Sequence, residues 1–200
     1  MGIEAPGFGP VTLDGRHVRL EPLSRSHLAP LTVEGADAAI FQHFPAGFSS
    51  AEGMRAFFDD ALQMREKGTG LPFVIIAKSE GKPVGSTRYG NIDRANRRVE
   101  IGWTWLGLKW QRTAANTGAK YLMLRQAFET WNCIRVEFKT DSLNEMSRAA
   151  LLRIGAKEEG IFRNHMITST GRFRHSVYYS IIESEWPAVK AHLEEKLRHT

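Results

Sequence analysis

The sequence predicts a mixed α/β fold, with a mostly antiparallel seven-stranded sheet flanked by helices on both faces. Three observations lead there. Between residues 72 and 106, three short apolar or alternating runs are separated by the turn segments Glu80-Gly81-Lys82 and 91–96, as in an antiparallel meander. From 97 to 140 a strand, a helix and a second strand follow over the length that a parallel crossover needs. The other strands come singly near the start and as a hairpin near the end, with helical periodicity between them.

The elements follow in order. Residues 1–10, with three Gly and two Pro, read as an irregular leader. His17 to Pro22 alternates Val18 and Leu20 with charged residues, a half-buried strand. Residues 24–41 look helical, with a break at Gly35. Ser49 or Ser50 can cap a helix to about Glu66, whose apolar face is Met54, Phe57, Phe58, Ala61, Leu62 and Met64. Pro72 to Lys78, Pro83 to Gly90 and Arg97 to Leu106 form the meander. A helix from Ala114 to Trp131, a strand from Ile134 to Thr140 and a helix from Leu143 to Ile154 come next, with Gly155 in the C′ position. Strands near Glu158–Met166 and His175–Ile182 turn around Ser169-Thr170-Gly171, and 186–198 is a charged amphipathic helix.

Composition sets limits on partners. At 200 residues, 42% hydrophobic and 24% charged, the chain reads as one globular domain, 1–200. Eleven Phe, five Trp and four Tyr argue against disorder. The single cysteine, Cys133, rules out an intrachain disulfide and reads as a small buried residue. No run is long and apolar enough to span a bilayer, and the start lacks the pattern of a signal peptide, so a cytoplasmic protein is expected. A net charge of +5 favours anionic ligands. Scattered histidines and the absence of His-Glu-x-x-His give no metal site.

The order of elements, together with Ile101-Gly102-Trp103-Thr104-Trp105-Leu106 followed by Gln111-Arg112-Thr113-Ala114-Ala115-Asn116-Thr117, resembles the GNAT N-acetyltransferases, and within them the RimJ/RimL-type branch. The segments 141–150 and 154–160 belong to the same likeness, which spans about residues 11–185. It implies acetyl-CoA as co-substrate and a primary amine as acceptor, either a peptide N-terminus or a small molecule. No membrane or metal is called for, nucleic acid is not expected, and a homodimer is compatible with it.

The resemblance also assigns residues. Coenzyme A carries a pyrophosphate, and the free first-turn amides of a helix are suited to bind one. In the family the loop Gln/Arg-x-x-Gly-x-Gly/Ala does this. Here Gln111, Arg112, Thr113, Ala114, Ala115, Asn116 and Thr117 stand there, with Ala and Asn at the small-residue positions. The same segment also reads as a plain helix start capped by Thr113. Thr104, Trp105 and Leu106 are implied as cofactor contacts, a backbone amide near Trp105 being placed to polarise the thioester carbonyl. Asn144 is implied to contact the pantetheine or thiol region, and Ser147 to donate a proton to the thiolate. Capping is their other reading, through Ser142-x-x-Glu145 or through Asn144 in a shifted register. Glu100 is implied to relay a proton from the amine. It also reads as a surface carboxylate paired with Arg88 or Arg98, and strand alternation groups it with Arg98, Gly102 and Thr104. The basic hairpin Arg163, His165, Arg172, Arg174 and His175 either borders an acceptor cleft or is a solvated edge. A longer acyl-CoA, or a non-catalytic basic RNA- or ribosome-associated module on the same fold, are the alternative readings.

Overall fold

The computed structural model describes residues 7–199. Its sheet has eight strands in the order β1-β2-β3-β4-β5-β6-β8-β7. These are β1 (Leu13–Asp14), β2 (Val18–Pro22), β3 (Leu71–Ala77), β4 (Lys82–Asp93), β5 (Arg98–Leu106), β6 (Arg135–Asp141), β7 (Lys157–Ile167) and β8 (Phe173–Ile182). The strand beyond the anticipated seven is β1, two residues pairing Leu13 with Leu20; a run so short has no periodicity to read. All neighbours pair antiparallel except β5 and β6, the two ends of the crossover.

Helices α1 (Leu28–Glu34) and α2 (Ala51–Glu66) cover one face, and α3 (Ala114–Arg125), α4 (Glu145–Arg153) and α5 (Trp186–Arg198) the other. Strand β3 shows how the layers share the sheet. Phe73 and Ile75 pack towards α3 and α5, Val74 and Ile76 towards α1 and α2, so the strand is apolar throughout. The break at Gly35 has a steric reason as well as a helical one: a Cβ there would lie 2.7 Å from Met54 Cε. Ser50 caps α2 by accepting from Gly53 N at 3.0 Å. Helix α3 is regular to Arg125 and continues as a π-helical turn over Gln126–Thr130. Helix α4 starts at Glu145, because Asn144 rather than Ser142 is its cap. The leader's residues 1–6 lie outside the described residues; Gly7 to Pro10 join neither helix nor strand.

Two features of β5 build the site. Its parallel pairing with β6 covers only Arg98, Val99 and Glu100, opposite Arg135, Val136 and Glu137. Beyond these residues the strands run on, β5 to Leu106 and β6 to Asp141, without pairing to each other. Such a parting at carboxyl ends is where open α/β sheets take ligands. The second feature is a β-bulge: Ser86 faces Trp105 and Arg88 faces Gly102, so two residues along β4 match three along β5. Trp103 absorbs it with φ of 50°. The bulge corrects the simple alternation: beyond it Thr104 and Leu106 turn towards α3, while Trp103 and Trp105 join the face of Glu100.

Candidate functional site

Glu100 is 2% exposed and lies on the face opposite α3. Its Oε2 accepts from Lys139 Nζ at 3.0 Å and from Asn91 Nδ2 at 2.7 Å. The surface pairing with Arg88 or Arg98 is therefore not what forms. Arg88 is fully buried and bonds Asp60 at 2.6 Å, and Arg98 bonds Asp93 at 3.1 Å. Lys139 comes from β6, so this ion pair closes only because the crossover brings β6 beside β5. Gly102 leaves room for the other carboxylate oxygen, since a Cβ there would stand 2.9 Å from Glu100 Oε1. Trp103 packs on the same face, its ring 5.0 Å from the Arg88 guanidinium and 5.7 Å from Lys139 Nζ. Gly90 makes room for it; a Cβ would meet the Trp103 ring at 2.5 Å. Further along the sheet, burial and the neighbouring Lys139 and Arg174 lower the pKa of His165, against an opposing pull from Glu100. Burial raises the Tyr178 hydroxyl. His165 packs edge-on against Phe162 and Tyr178, which are tilted against each other.

On the α3 face the arrangement is different. Thr104 Oγ1 accepts from Lys120 Nζ at 2.9 Å and shares a bond with Thr87 Oγ1 at 2.8 Å. Trp105 is packed among Phe41 and Phe57, and Leu106 in the larger core. What Thr104, Trp105 and Leu106 can offer a ligand is thus main chain, along the edge that β6 has left.

Both parting strands lead into helix starts. Strand β5 reaches α3 through a 3₁₀ turn at Leu108–Trp110 and β6 reaches α4 directly, so two helix N-termini meet at the same end of the sheet. At α3, Arg112 has φ of 60° and Thr113 is the cap, accepting from Ala115 N at 3.2 Å. Its first turn has no acidic residue. Arg112 and Thr113 are exposed, and Gln111, Ala114 and Asn116 are half-buried. Ala115 and Thr117 are turned into the protein, where Thr117 Oγ1 accepts from Arg153 at 3.0 Å. Amide donors, small side chains, an adjacent arginine and no carboxylate form a donor set suited to a pyrophosphate. At α4, Asn144 Oδ1 accepts from Ser147 N at 2.9 Å, which leaves its amide group for other partners.

Sequence reasoning missed Lys139, Asn91 and Lys120. Each stands on a different element from the residue it serves, and only Asn91, nine residues from Glu100, was near enough to look for. The basic hairpin divides. Arg172 pairs with the buried Asp141 and Arg174 is buried, while Arg163, His165 and His175 line an open depression of about 830 Å³ at the sheet edge. That hollow lies at the sheet edge, whereas the acid, the lysines and the helix starts gather at the strand parting. Cys133 is buried, and burial pushes its thiol up to about 11, which suits a packing role. Among the described residues no cluster of three or more His, Cys, Asp or Glu could hold a metal, and no helix is long and apolar enough to cross a membrane.

Comparisons with known proteins bear on the fold and the family. The family model described as the Acetyltransferase (GNAT) domain matches residues 17–157. The protein of Bacillus subtilis (strain 168) named "Putative ribosomal N-acetyltransferase YdaF" is 33% identical over 111 residues. That match covers 56% of this chain and 60% of the relative. A GCN5-related N-acetyltransferase from Brucella melitensis superposes with a TM-score of 0.87 at 31% identity, over 95% of this chain and 86% of that one. RimJ of Mycobacterium smegmatis, solved in complex with CoA-disulfide, shares the fold with a TM-score of 0.79 at 21% identity, over 94% and 96% of the two chains.

Proposed function

The chain belongs to the GNAT acetyltransferase family, and on that premise we propose that it transfers acetyl from acetyl-CoA to a primary amine by direct attack, residues 1–200 acting as one domain. The observation that supports this best is the convergence, at the parting of β5 and β6, of a buried carboxylate and two helix N-termini. In this reading the α3 start, Gln111 to Thr117, holds the pyrophosphate. The free edge of β5 at Thr104, Trp105 and Leu106 aligns the acyl arm, and Asn144 and Ser147 on α4 meet it from the other side. Acetyl-CoA supplies the activated acyl group.

The acceptor must arrive as a neutral amine. An α-amine with pKa near 8 is about one-tenth neutral at pH 7, which costs roughly 1.4 kcal/mol, whereas a lysine near 10.4 costs roughly 4.6 kcal/mol. One carboxylate, Glu100, already engaged by Lys139, suits the smaller demand. The acceptor we favour is therefore a peptide α-amine or a small-molecule amine, and the ribosomal label of the Bacillus relative points to a ribosomal protein N-terminus. Glu100 would take the proton, directly or through water, at Oε1, since Lys139 and Asn91 both engage Oε2.

Calorimetry with CoA at low salt tests the cofactor half. Parent protein should bind, and Ala114→Glu should not, because its carboxylate would repel the pyrophosphate. Its melting temperature should hold, since an acid in the first turn favours a helix. Equal binding by the variant would displace the phosphate from this loop. A panel of peptide N-termini, polyamines, amino acids and amine antibiotics, scored for thiol release, tests the acceptor half. Binding of RNA without CoA affinity would favour the non-catalytic reading instead.

A further inference from the structure

Lys120 is a buried charge to which the reading above gives no task. It projects from the second turn of α3 towards the sheet and is 6% exposed. Its Nζ donates to Thr104 Oγ1 at 2.9 Å and stands 5.4 Å from the centre of the Phe138 ring. Thr104 belongs to β5 and Phe138 to β6, and both lie beyond the last paired residues, Glu100 and Glu137. The ammonium is therefore set beneath the gap that the parting strands open.

Its surroundings are otherwise neutral. From β4 comes Thr87, whose hydroxyl is shared with Thr104 and reaches Met123 Sδ of α3 at 3.5 Å; from β6 comes Phe138. The charged group that acts on it is Glu100, which is already paired with Lys139. A leucine or methionine would fill this place without the penalty of burying a charge, so packing alone does not account for a lysine.

We propose that Lys120 is the acid for the leaving group: its ammonium stabilises and protonates the CoA thiolate released when the thioester is cleaved. The inference rests on the acetyl-transfer reading and deepens it. The amine nitrogen forms a bond to the carbonyl carbon, and the C–S bond breaks with its electron pair on sulfur. A proton from Lys120 Nζ makes the thiol, and the proton lost by the amine goes to Glu100, directly or through water. Exchange with solvent then restores both groups. Ser147 would orient the thiol rather than protonate it.

Acidity supports the assignment. A thiol has a pKa near 8.5, so an ordinary lysine near 10.4 would give up its proton uphill. Burial lowers Lys120 to about 7, which turns the balance towards the thiol by roughly thirtyfold.

The test compares parent, Lys120→Met and Lys120→Arg, all with CoA bound. The pKa of the bound thiol is followed by thiolate absorbance, and transfer by a pH profile of kcat/KM. A lysine near 7 is already neutral where a thiol near 8.5 titrates, so parent and Lys120→Met should both leave the bound thiol near its free value. Lys120→Arg, whose charge persists, should lower the bound thiol by about one unit or more, yet lose rate on the order of a hundredfold because arginine does not release a proton. The parent's fall in rate above about pH 7 should vanish in Lys120→Met. A fall above about pH 7 that persists in Lys120→Met, or a bound thiol that Lys120→Arg leaves unmoved, would overturn the inference while leaving acetyl transfer in place. An acetyl group found on Lys120 by mass spectrometry would also overturn it, marking a nucleophile instead of an acid. A parent that binds no CoA would remove the transfer reading and this inference together.

Discussion

Lys139 and Lys120 lie on opposite faces of the sheet where β5 and β6 part, and their settings are nearly reversed. Lys139 is partly exposed and its Nζ meets the carboxylate of Glu100 at 3.0 Å. Lys120 is buried, and its hydrogen bond goes to the neutral hydroxyl of Thr104. One lysine compensates a buried acid; the other has no acid to compensate, and burial brings it down to about 7. The difference teaches that partner and solvent, rather than residue type, decide whether a lysine serves as a fixed charge or as a source of protons. Arg88 stands between the two cases. It is buried as completely as any residue here, yet Asp60 at 2.6 Å opposes the effect of burial, which still lowers its pKa.

Breaking the paired side should have the largest effect. Glu100→Gln is expected to lower kcat/KM near pH 7 by about 10²–10⁴, with part of the loss recovered at about pH 9, where more of the amine is already neutral. A pH–rate profile on one accepted amine measures this. An unchanged profile would leave Glu100 as nothing more than the partner of Lys139.

Breaking the unpaired side should change stability with a definite sign. The folded pKa of Lys120, about 7, lies below its unfolded value of about 10.4, so the unfolded chain binds more protons between them. The parent should therefore gain stability from this group as pH rises across that window. Lys120→Met lacks the rise. It should exceed the parent by on the order of 3–5 kcal/mol at or below about pH 7, the gap closing towards pH 10. Urea midpoints of both proteins across that range would show it, and a constant gap would mean that Lys120 is not charged by this route.

The smallest effect sharpens the comparison from a third element. Ser147→Ala should cost about tenfold or less, since Lys120 supplies the proton and the hydroxyl only orients the thiol. A loss as large as that of Lys120→Arg on the same substrate would transfer the acid's role to α4.

Much of the frame is legible in the residues themselves. The apolar run at 72–78 reads as a strand buried on both faces, Ser50 reads as a cap, and Gly35 and Gly155 read as breaks. These signals are local: a cap or a turn is satisfied by residues three or four positions away. Glu100 and the 111–117 loop could be singled out because their neighbours in sequence carry the family likeness. Lys120 could not, because in a helix it reads as one more exposed charge until β5 and β6 are set against it.

By itself the sequence determined the order and type of the elements apart from the two-residue β1, the α3 start, the family, and the residues to suspect. Only the tertiary structure decided that Glu100 is buried against Lys139, that a bulge at Trp103 turns Thr104 to the opposite face, and that Lys120 lies beneath the parting strands. The physical reason is that periodicity reports which way a side chain points along one element, whereas charge and acidity depend on what a distant element brings up to it and on how much water remains between them.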